Sequence, residues 1–130
     1  MNPFSEDEAE NFLQSLKLCK YEAGVYLTLL KKGPQDYKGL VELSEVPYGK
    51  VYSTCNSLAE KGWIGEIDQR PKIFYAVDPE TPLKEHLMRV KKRVNELEET
   101  LKRLTPRLKT LYNQSHRRLP EQLTREIPVD

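Results

Sequence analysis

The chain has 130 residues; 38% of them are hydrophobic and 32% are charged, and the formal net charge is +1. This length fits one compact domain with a short extension. No run approaches the roughly 18 apolar residues of a membrane span, and the N-terminus lacks a basic-then-apolar signal segment. Two cysteines without CxxC spacing and two separated histidines exclude a standard zinc module and a disulfide scaffold. We therefore expect an intracellular, cytoplasmic protein with no metal and no cofactor.

The small net charge conceals a strong asymmetry along the chain. Residues 1–79 carry nine lysines and arginines against twelve acidic residues, a net charge of −3. Residues 80–118 carry eleven against five, a net charge of +6, and residues 119–130 are net −2. The spacing of apolar residues changes near Asp78-Pro79 as well, so we predict a boundary there.

Two amphipathic helices are predicted at the start of the chain. Ser5 to Glu8 match a capping box, which predicts a helix beginning at this point. Its apolar stripe consists of Ala9, Phe12, Leu13 and Leu16. A second helix is predicted from about Lys20 to Lys32, with Gly33-Pro34 as the stop signal. Its inward residues are expected to be Ala23, Tyr26, Leu27 and Leu30.

A pair of shorter helices follows. The third helix is predicted to open near Asp36, and Pro47 ends it because proline disfavours helical geometry at the preceding residue. Its inward residues are expected to be Leu40, Val41 and Leu43. The fourth helix is predicted from about Tyr48 to Lys61, closed by Gly62, with Val51, Cys55 and Leu58 facing inward. Two short helices joined by a brief turn are typical of a helix-turn-helix.

Two β-type runs come next, Trp63–Ile67 and Ile73–Val77, separated by the polar residues Asp68–Lys72. This pattern predicts a hairpin with a five-residue loop. Helices followed by such a hairpin indicate a winged helix-turn-helix.

From Leu83 the apolar residues alternate spacings of four and three, which is the heptad pattern of a coiled coil. The predicted dimerisation residues are Leu83, Leu87, Val90, Val94, Leu97, Leu101, Leu104, Leu108 and Leu111. Thr81 is the expected cap, with Pro82 at the first helical position. Pro106 either kinks or breaks this helix, and the continuing leucines favour a kink. Leucine dominates both core positions, so the number and direction of the strands stay open.

These patterns predict a mainly α fold with a small β-hairpin, in the α+β class. It comprises a winged helix-turn-helix domain over residues 1–79, a long coiled-coil dimerisation helix over 80–118, and a tail without regular structure over 119–130.

No grouping of residues points to catalysis. The sequence lacks a phosphate-binding glycine loop and the GxSxG and HExxH motifs. Cys19 and Cys55 are interpreted as small core residues, and His86 and His116 as solvated. We therefore do not expect an enzyme.

Function is expected at the helix-turn-helix, because its second helix can present side chains to the major groove. Lysine suits phosphate or guanine, asparagine can read adenine, and hydroxyl groups suit phosphate oxygens. The charged hairpin loop would reach the DNA backbone or the minor groove. The predicted DNA-contact residues are Lys38, Tyr48, Lys50, Tyr52, Ser53, Asn56, Ser57, Arg70 and Lys72.

Several stretches, in order over roughly residues 12–80, resemble the TrmB-like transcription regulators of archaea. They are Lys20–Leu30, Val46–Tyr52, Ser57–Gly62 and Arg70–Val77. The resemblance implies a winged-helix DNA-binding domain with the fourth helix in the major groove. Where the family commonly has Arg-Ser and later an arginine, this chain has Tyr48-Gly49 and Asn56. Longer members carry a C-terminal sugar-sensing domain; we expect none here, and no sugar effector.

Two hypotheses follow. In the first, the protein is a homodimeric, sequence-specific regulator that binds double-stranded DNA at half-sites about 34 Å apart or a multiple of it. In the alternative, it is a winged-helix module that binds another protein and has little DNA affinity. The −3 charge of residues 1–79 favours the alternative, and the basic segment 80–118 favours the first.

Overall fold

The computed structural model describes residues 5–116 of the chain. In chain order the elements are α1 (Glu6–Ser15), α2 (Lys20–Lys32), β1 (Gln35–Asp36), α3 (Tyr37–Leu43), α4 (Tyr48–Glu60), β2 (Ile64–Ile67), β3 (Ile73–Ala76) and α5 (Glu80–His116). They confirm the predicted fold class, which is mainly helical with a small antiparallel sheet and a long last helix. The predicted tail at 119–130 lies outside the described residues.

Local signals in the sequence set the helix ends. Ser5 Oγ accepts a hydrogen bond from Glu8 N at 3.3 Å, and Asp36 Oδ1 accepts one from Gly39 N at 2.7 Å. Each acceptor satisfies an amide that has no partner within its helix. Gly33 and Gly62 follow α2 and α4 with φ angles of 81° and 85°, a backbone region that glycine adopts without strain.

The first four helices and the sheet enclose one hydrophobic core. Its buried members are Leu13, Leu18, Ala23, Val25, Tyr26, Leu29, Leu40, Val46, Val51, Cys55, Leu58, Trp63, Ile64 and Phe74. Helix α2 lies at the centre, since it contacts α1, α3, α4 and β3. Tyr26 and Trp63 pack edge to face with ring centroids 5.1 Å apart, and the Tyr26 hydroxyl donates to Val77 O at 2.9 Å. Burial, with Asp78 nearby, raises the pKa of Tyr26 to about 12.

Four residues predicted to face inward are exposed: Phe12, Cys19, Leu30 and Leu43. The predictions for Phe12, Leu30 and Leu43 were wrong because helical spacing alone cannot locate the centre of a buried stripe, and Cys19 is exposed at the N-cap position of α2. The neighbours of α2 cover the side that carries Val25 and Leu29, and Leu30 lies beyond its edge. Cys55 is buried as predicted, and burial, with Glu66 nearby, raises the pKa of its thiol to about 12. Within residues 5–116, no three His, Cys, Asp or Glu side chains form a group that could hold a metal ion.

The sheet has one strand more than predicted. Strand β1 adds to the hairpin and gives the antiparallel order β1-β3-β2. Gln35 pairs with Phe74 and Asp36 with Ile73, while β2 pairs with β3 from Ile64↔Ala76 to Ile67↔Ile73. The hairpin loop at residues 68–72 contains a cis Arg70-Pro71 peptide bond.

A buried carboxylate joins α2 to α4. The Glu22 side chain is only 5% exposed and accepts hydrogen bonds from Cys19 N (2.8 Å), Ser57 Oγ (2.7 Å) and Lys61 Nζ (2.9 Å). Burial raises its pKa, but the hydrogen bonds from Cys19, Lys61 and Ser57 outweigh this effect and leave the pKa lowered. The cluster therefore holds an ionised carboxylate at the contact between the two helices.

Helix α5 passes from one compact unit, which ends at Leu87, into a second, which begins at Met88. In the first unit, Leu83 packs against the hydrophobic core. Thr81 does not cap the helix as predicted: α5 begins at Glu80, and the Asp78 carboxylate accepts from Glu80 N at 2.9 Å. The Asp78 side chain, two residues before Glu80, thus satisfies the first amide of α5, which has no partner within the helix. The division at residues 79 and 118 stays a prediction.

In the second unit α5 continues through Pro106 to His116, so the proline does not break the helix. Five of the predicted dimerisation residues here, Val94, Leu97, Leu101, Leu108 and Leu111, are between 47% and 62% exposed. Val90 and Leu104 are partly covered. This unit therefore presents an apolar stripe to solvent. No helix in the described part of the chain is both long and apolar enough to cross a membrane.

Candidate nucleic-acid interface

Helix α4 has a buried face and an open face. Val51, Cys55 and Leu58 are fully buried, which fixes the rotation of the helix on the core. The opposite face carries predicted contact residues that are all exposed: Tyr48, Lys50, Tyr52, Ser53 and Asn56. Tyr48 and Tyr52 are 71% and 53% exposed, which is unusual for large aromatic side chains. The structure thus brings these five predicted residues together on one accessible surface.

Three tyrosines, Tyr37, Tyr48 and Tyr52, form a tyrosine cluster where α3 meets the start of α4. The Tyr37 ring lies 5.7 Å from that of Tyr48 and 6.2 Å from that of Tyr52, centroid to centroid. The Tyr37 hydroxyl donates to Tyr48 O at 2.9 Å, which ties α3 to the first turn of α4. Desolvation and the neighbouring Tyr48 raise the pKa of Tyr37 above its ordinary value of 10.

Sequence reasoning missed Tyr37. It precedes the buried Leu40 by three positions and therefore lies on the same face of α3. That spacing is the sequence signal that would have placed Tyr37 on the side of α3 that faces the rest of the domain.

The two predicted serines differ in what they can offer to a ligand. Ser57 is partly covered, and its hydroxyl donates to the Glu22 carboxylate within the protein. Ser53 is exposed, and its hydroxyl donates to Lys50 O at 3.2 Å, which leaves its oxygen open to donors from outside. Ser57 is thus placed in the contact between α2 and α4, away from the open face.

The hairpin loop at residues 68–72, here called the wing, contains two cations, Arg70 and Lys72, and only Lys72 forms an ion pair in the described structure. Arg70 lies exposed in this loop. Lys72 Nζ lies 3.4 Å from Glu66 Oε2 on the adjacent strand. This hydrogen-bonded ion pair raises the pKa of Lys72, with a smaller contribution from Tyr52. Lys72 is therefore partly neutralised, and Glu66 is a residue that sequence reasoning did not assign to the wing.

The open face has few cations for a surface expected to bind phosphate. Lys38 on α3 and Lys50 on α4 are exposed, and no carboxylate in the described residues forms a salt bridge with either. Glu42 near the end of α3 and Glu45 in the turn before α4 are exposed nearby along the chain. Aromatic and neutral polar groups therefore make up most of this surface.

Comparison with known proteins identifies the family to which this helix-turn-helix and wing belong. The family described as "Sugar-specific transcriptional regulator TrmB" matches residues 13–80, which span α2 to β3 and hence the whole helix-turn-helix and wing. The chain belongs to the TrmB family. This confirms the resemblance found in the sequence, and the family is one of transcriptional regulators.

Two individual proteins are similar to this TrmB-family chain over most of its length. The HTH-type sugar sensing transcriptional regulator TrmBL1 of Pyrococcus furiosus is 33% identical over 117 residues, which is 89% of this chain and 32% of that protein. The solved structure of TrmBL2, an archaeal chromatin protein reported to show a novel mode of DNA binding, is 26% identical. It matches with a TM-score of 0.71 over 97% of this chain and 49% of that one. This chain thus spans a third to a half of the length of these relatives.

A third structure resembles the TrmB-family chain in fold alone. The transcriptional regulator Tm0710 from Thermotoga maritima is 15% identical, with a TM-score of 0.51 over 89% of both chains.

Proposed function

We propose that this chain is a sequence-specific, double-stranded DNA-binding transcriptional regulator that acts as a homodimer. The observation that carries the proposal is the division of α4 into a fully buried apolar face and an open polar face. Helix α4 is the recognition helix in the major groove, and the wing contacts the DNA backbone or the minor groove. Membership of a family of transcriptional regulators supports the same conclusion.

The side chains of the open face suit specific tasks. Lys50 and Asn56 can reach base edges, where lysine pairs with guanine and asparagine with adenine. The hydroxyls of Tyr48 and Tyr52 and the side chains of Lys38 and Arg70 suit phosphate oxygens. Ser53 can accept a hydrogen bond at the same surface. Ser57 is left out, because its hydroxyl is bound to Glu22.

The apolar stripe on α5 supports the dimer. An exposed stripe at heptad spacing is the surface that two helices bury when they form a coiled coil. Two bound heads would then meet half-sites about one helical turn apart, or a multiple of it. The dimerisation residues in the second unit, here called the seam, are Val90, Val94, Leu97, Leu101, Leu104, Leu108 and Leu111.

The test is fluorescence anisotropy of the full chain with a random duplex at ~50 and ~200 mM salt, followed by selection of preferred sequences from a random library. The affinity should fall steeply with salt, because each neutralised phosphate contributes about −0.9 to the log–log slope. Lys50→Gln should reduce both affinity and slope. Lys32→Gln, the matched control at an exposed position in the last turn of α2, should leave both unchanged.

Two outcomes would contradict the proposal in different ways. No binding at ~50 mM salt with micromolar protein would favour a protein-binding module, in line with the acidic surroundings of the helix-turn-helix. Salt-dependent binding that Lys50→Gln and Asn56→Ala leave intact would retain DNA binding but reject α4 as the recognition helix.

A further inference from the structure

Helix α4 begins with an aromatic surface that is largely open to solvent. Tyr48 and Tyr52 are four residues apart and therefore neighbours on the helix, and they are 71% and 53% exposed. Aromatic rings gain free energy when they leave water, so large ones are usually well buried. Two neighbouring exposed rings therefore form a surface suited to an apolar group of a partner.

The third member of the tyrosine cluster holds these two rings in place. Tyr37 packs against the hydrophobic core, and its hydroxyl donates to Tyr48 O at 2.9 Å. The Tyr37 ring meets that of Tyr48 at 79° and that of Tyr52 at 55°. Aromatic pairs in tilted or edge-to-face geometry stabilise each other beyond the area they bury. The exposed rings are thus oriented in the free protein, which lowers the entropic cost of a contact made by them.

The charge of the wing beside this cluster is partly cancelled within the protein. The pKa of Lys72 is raised chiefly by its hydrogen-bonded pair with Glu66 and also by Tyr52, which places this lysine near the cluster. Lys72 Nζ lies 3.4 Å from Glu66 Oε2. Phosphate binding depends on cations that are free to neutralise it. On the side of the wing, the cluster therefore offers a partner apolar area more than positive charge.

The position of the cluster on α4 indicates which part of a duplex it would meet. In a helix-turn-helix the N-terminal residues of the recognition helix contact the edges of the bases. Tyr48 is the first residue of α4, and Tyr52 lies one turn later. The apolar group that base pairs present in the major groove is the C5-methyl of thymine. An oriented pair of rings at this place can therefore distinguish thymine from the other bases by contact with that methyl group.

We propose that Tyr48 and Tyr52 are specificity-determining residues that select thymine in the major groove by packing their rings against its C5-methyl group. The inference rests on the proposed function, in which α4 is the recognition helix, and it names the base that this part of the helix reads. The methyl contact uses ring carbons, so the hydroxyls at the ring tips stay free for phosphate oxygens.

The test on the DNA removes only the methyl group. The parent chain selects a duplex from a random library, and the selected duplex is synthesised again with deoxyuridine in place of each thymine in turn. Deoxyuridine keeps the base pair and the O4 acceptor and lacks the C5-methyl. Fluorescence anisotropy should show binding about fourfold weaker at each thymine that a ring contacts, because that factor corresponds to the burial of one methyl-sized group.

The test on the protein separates the ring from the hydroxyl. Tyr48→Phe and Tyr52→Phe keep the ring, so each should retain the loss of affinity on methyl removal. Tyr48→Ala and Tyr52→Ala remove the ring and should weaken binding to the thymine duplex. In each alanine variant, the thymine that the missing ring contacted should accept deoxyuridine without further loss.

Two controls accompany these variants. Tyr21→Ala removes an exposed tyrosine from α2 and should change neither the affinity nor the response to deoxyuridine. Urea unfolding followed by the emission of Trp63 should show that the alanine variants at Tyr48 and Tyr52 still fold, because both side chains are mostly exposed.

The outcomes separate this inference from the proposed function. A parent chain that does not bind the duplex overturns both. A parent that binds the selected duplex with equal affinity after every deoxyuridine substitution overturns this inference alone. So does a methyl effect that persists in both alanine variants, since another residue then reads the methyl. Equal losses in the phenylalanine and alanine variants would also overturn it, because contact between the hydroxyls and phosphate would then explain the tyrosines.

Discussion

Replacing Glu22 with glutamine removes the negative charge from the contact between α2 and α4 and keeps the shape of the side chain. The Glu22 carboxylate receives three hydrogen bonds at 2.7–2.9 Å from Cys19 N, Ser57 Oγ and Lys61 Nζ. A glutamine presents one oxygen and one NH₂ group to these three donors. Cys19 N and Lys61 Nζ both bind Oε1, which the glutamine oxygen can replace, but the Ser57 hydroxyl must then reverse to accept from the NH₂ group, and the charge on Lys61 loses its partner.

The size of the effect follows from the exposure of the two partners. Removing one member of a fully buried ion pair costs about 3–5 kcal/mol. Lys61 is 40% exposed, so water replaces part of what it loses, and the cost falls below that range. Hydrogen bonds to charged groups contribute about 1.5–3 kcal/mol each. We expect Glu22→Gln to lower the free energy of unfolding by about 2 kcal/mol, which corresponds to a fall in Tm of roughly 10 °C.

Urea unfolding followed by tryptophan fluorescence measures this loss. Trp63 is the only tryptophan, and it is buried beside Tyr26, so its emission reports unfolding of the first unit. The midpoint should fall without a change in the m-value. Glu60→Gln, the same substitution at an exposed position of α4, is the control and should cost less than about 0.5 kcal/mol.

The pH dependence of the free energy of unfolding provides a second test of the role of Glu22. The pKa of Glu22 is lowered from its ordinary value of 4.5, so the folded protein binds the proton less tightly than the unfolded chain does. The stabilisation is therefore fully present above pH 4.5 and is lost as the pH falls through the lowered pKa. The difference between parent and Glu22→Gln should shrink over that acid range. Equal stability of Glu22→Gln and Glu60→Gln at neutral pH would refute the reasoning.

Three further predictions concern other contacts. Tyr26→Phe leaves the Val77 carbonyl without its 2.9 Å donor and should cost about 1–2 kcal/mol in urea unfolding; no change would mean that water replaces the hydroxyl. Pro106→Ala restores a backbone donor inside α5 and should increase helicity by circular dichroism and raise the melting temperature, since proline is about 3 kcal/mol less favourable than alanine there. Glu66→Gln releases Lys72 from its ion pair and should tighten duplex binding two- to threefold at low salt; weaker binding would show that Lys72 needs Glu66 for its position.

The helices of the first unit could be predicted because their ends depend on nearby residues. Ser5, Gly33, Pro47 and Gly62 act within one or two turns, and the observed bounds follow them. Strand β1 could not be predicted in this way. Two polar residues have no β pattern of their own, and only pairing with β3, almost 40 residues along the chain, makes them a strand.

Part of the candidate site could also be predicted, because that part depends on residues close together in the sequence. The open face of α4 follows from helical spacing once Val51, Cys55 and Leu58 are placed inward. The partners of Ser57 and Lys72 depend on tertiary contacts. A single glutamate in an amphipathic helix usually faces solvent, so nothing in the local sequence indicates that Glu22 is buried and bound to α4.

Asp36 belongs both to β1 and to the start of α3, and this links movement of the wing to the helices. It is the last residue of β1, paired with Ile73, the first residue of β3 directly after the wing, and its carboxylate also caps α3. The next residue, Tyr37, is hydrogen-bonded to the start of α4. A displacement of the wing would therefore strain the first turns of both helices in succession. The wing and α4 are therefore stiffly coupled, so a ligand that contacted both would remove less conformational freedom than one that bound an independent loop.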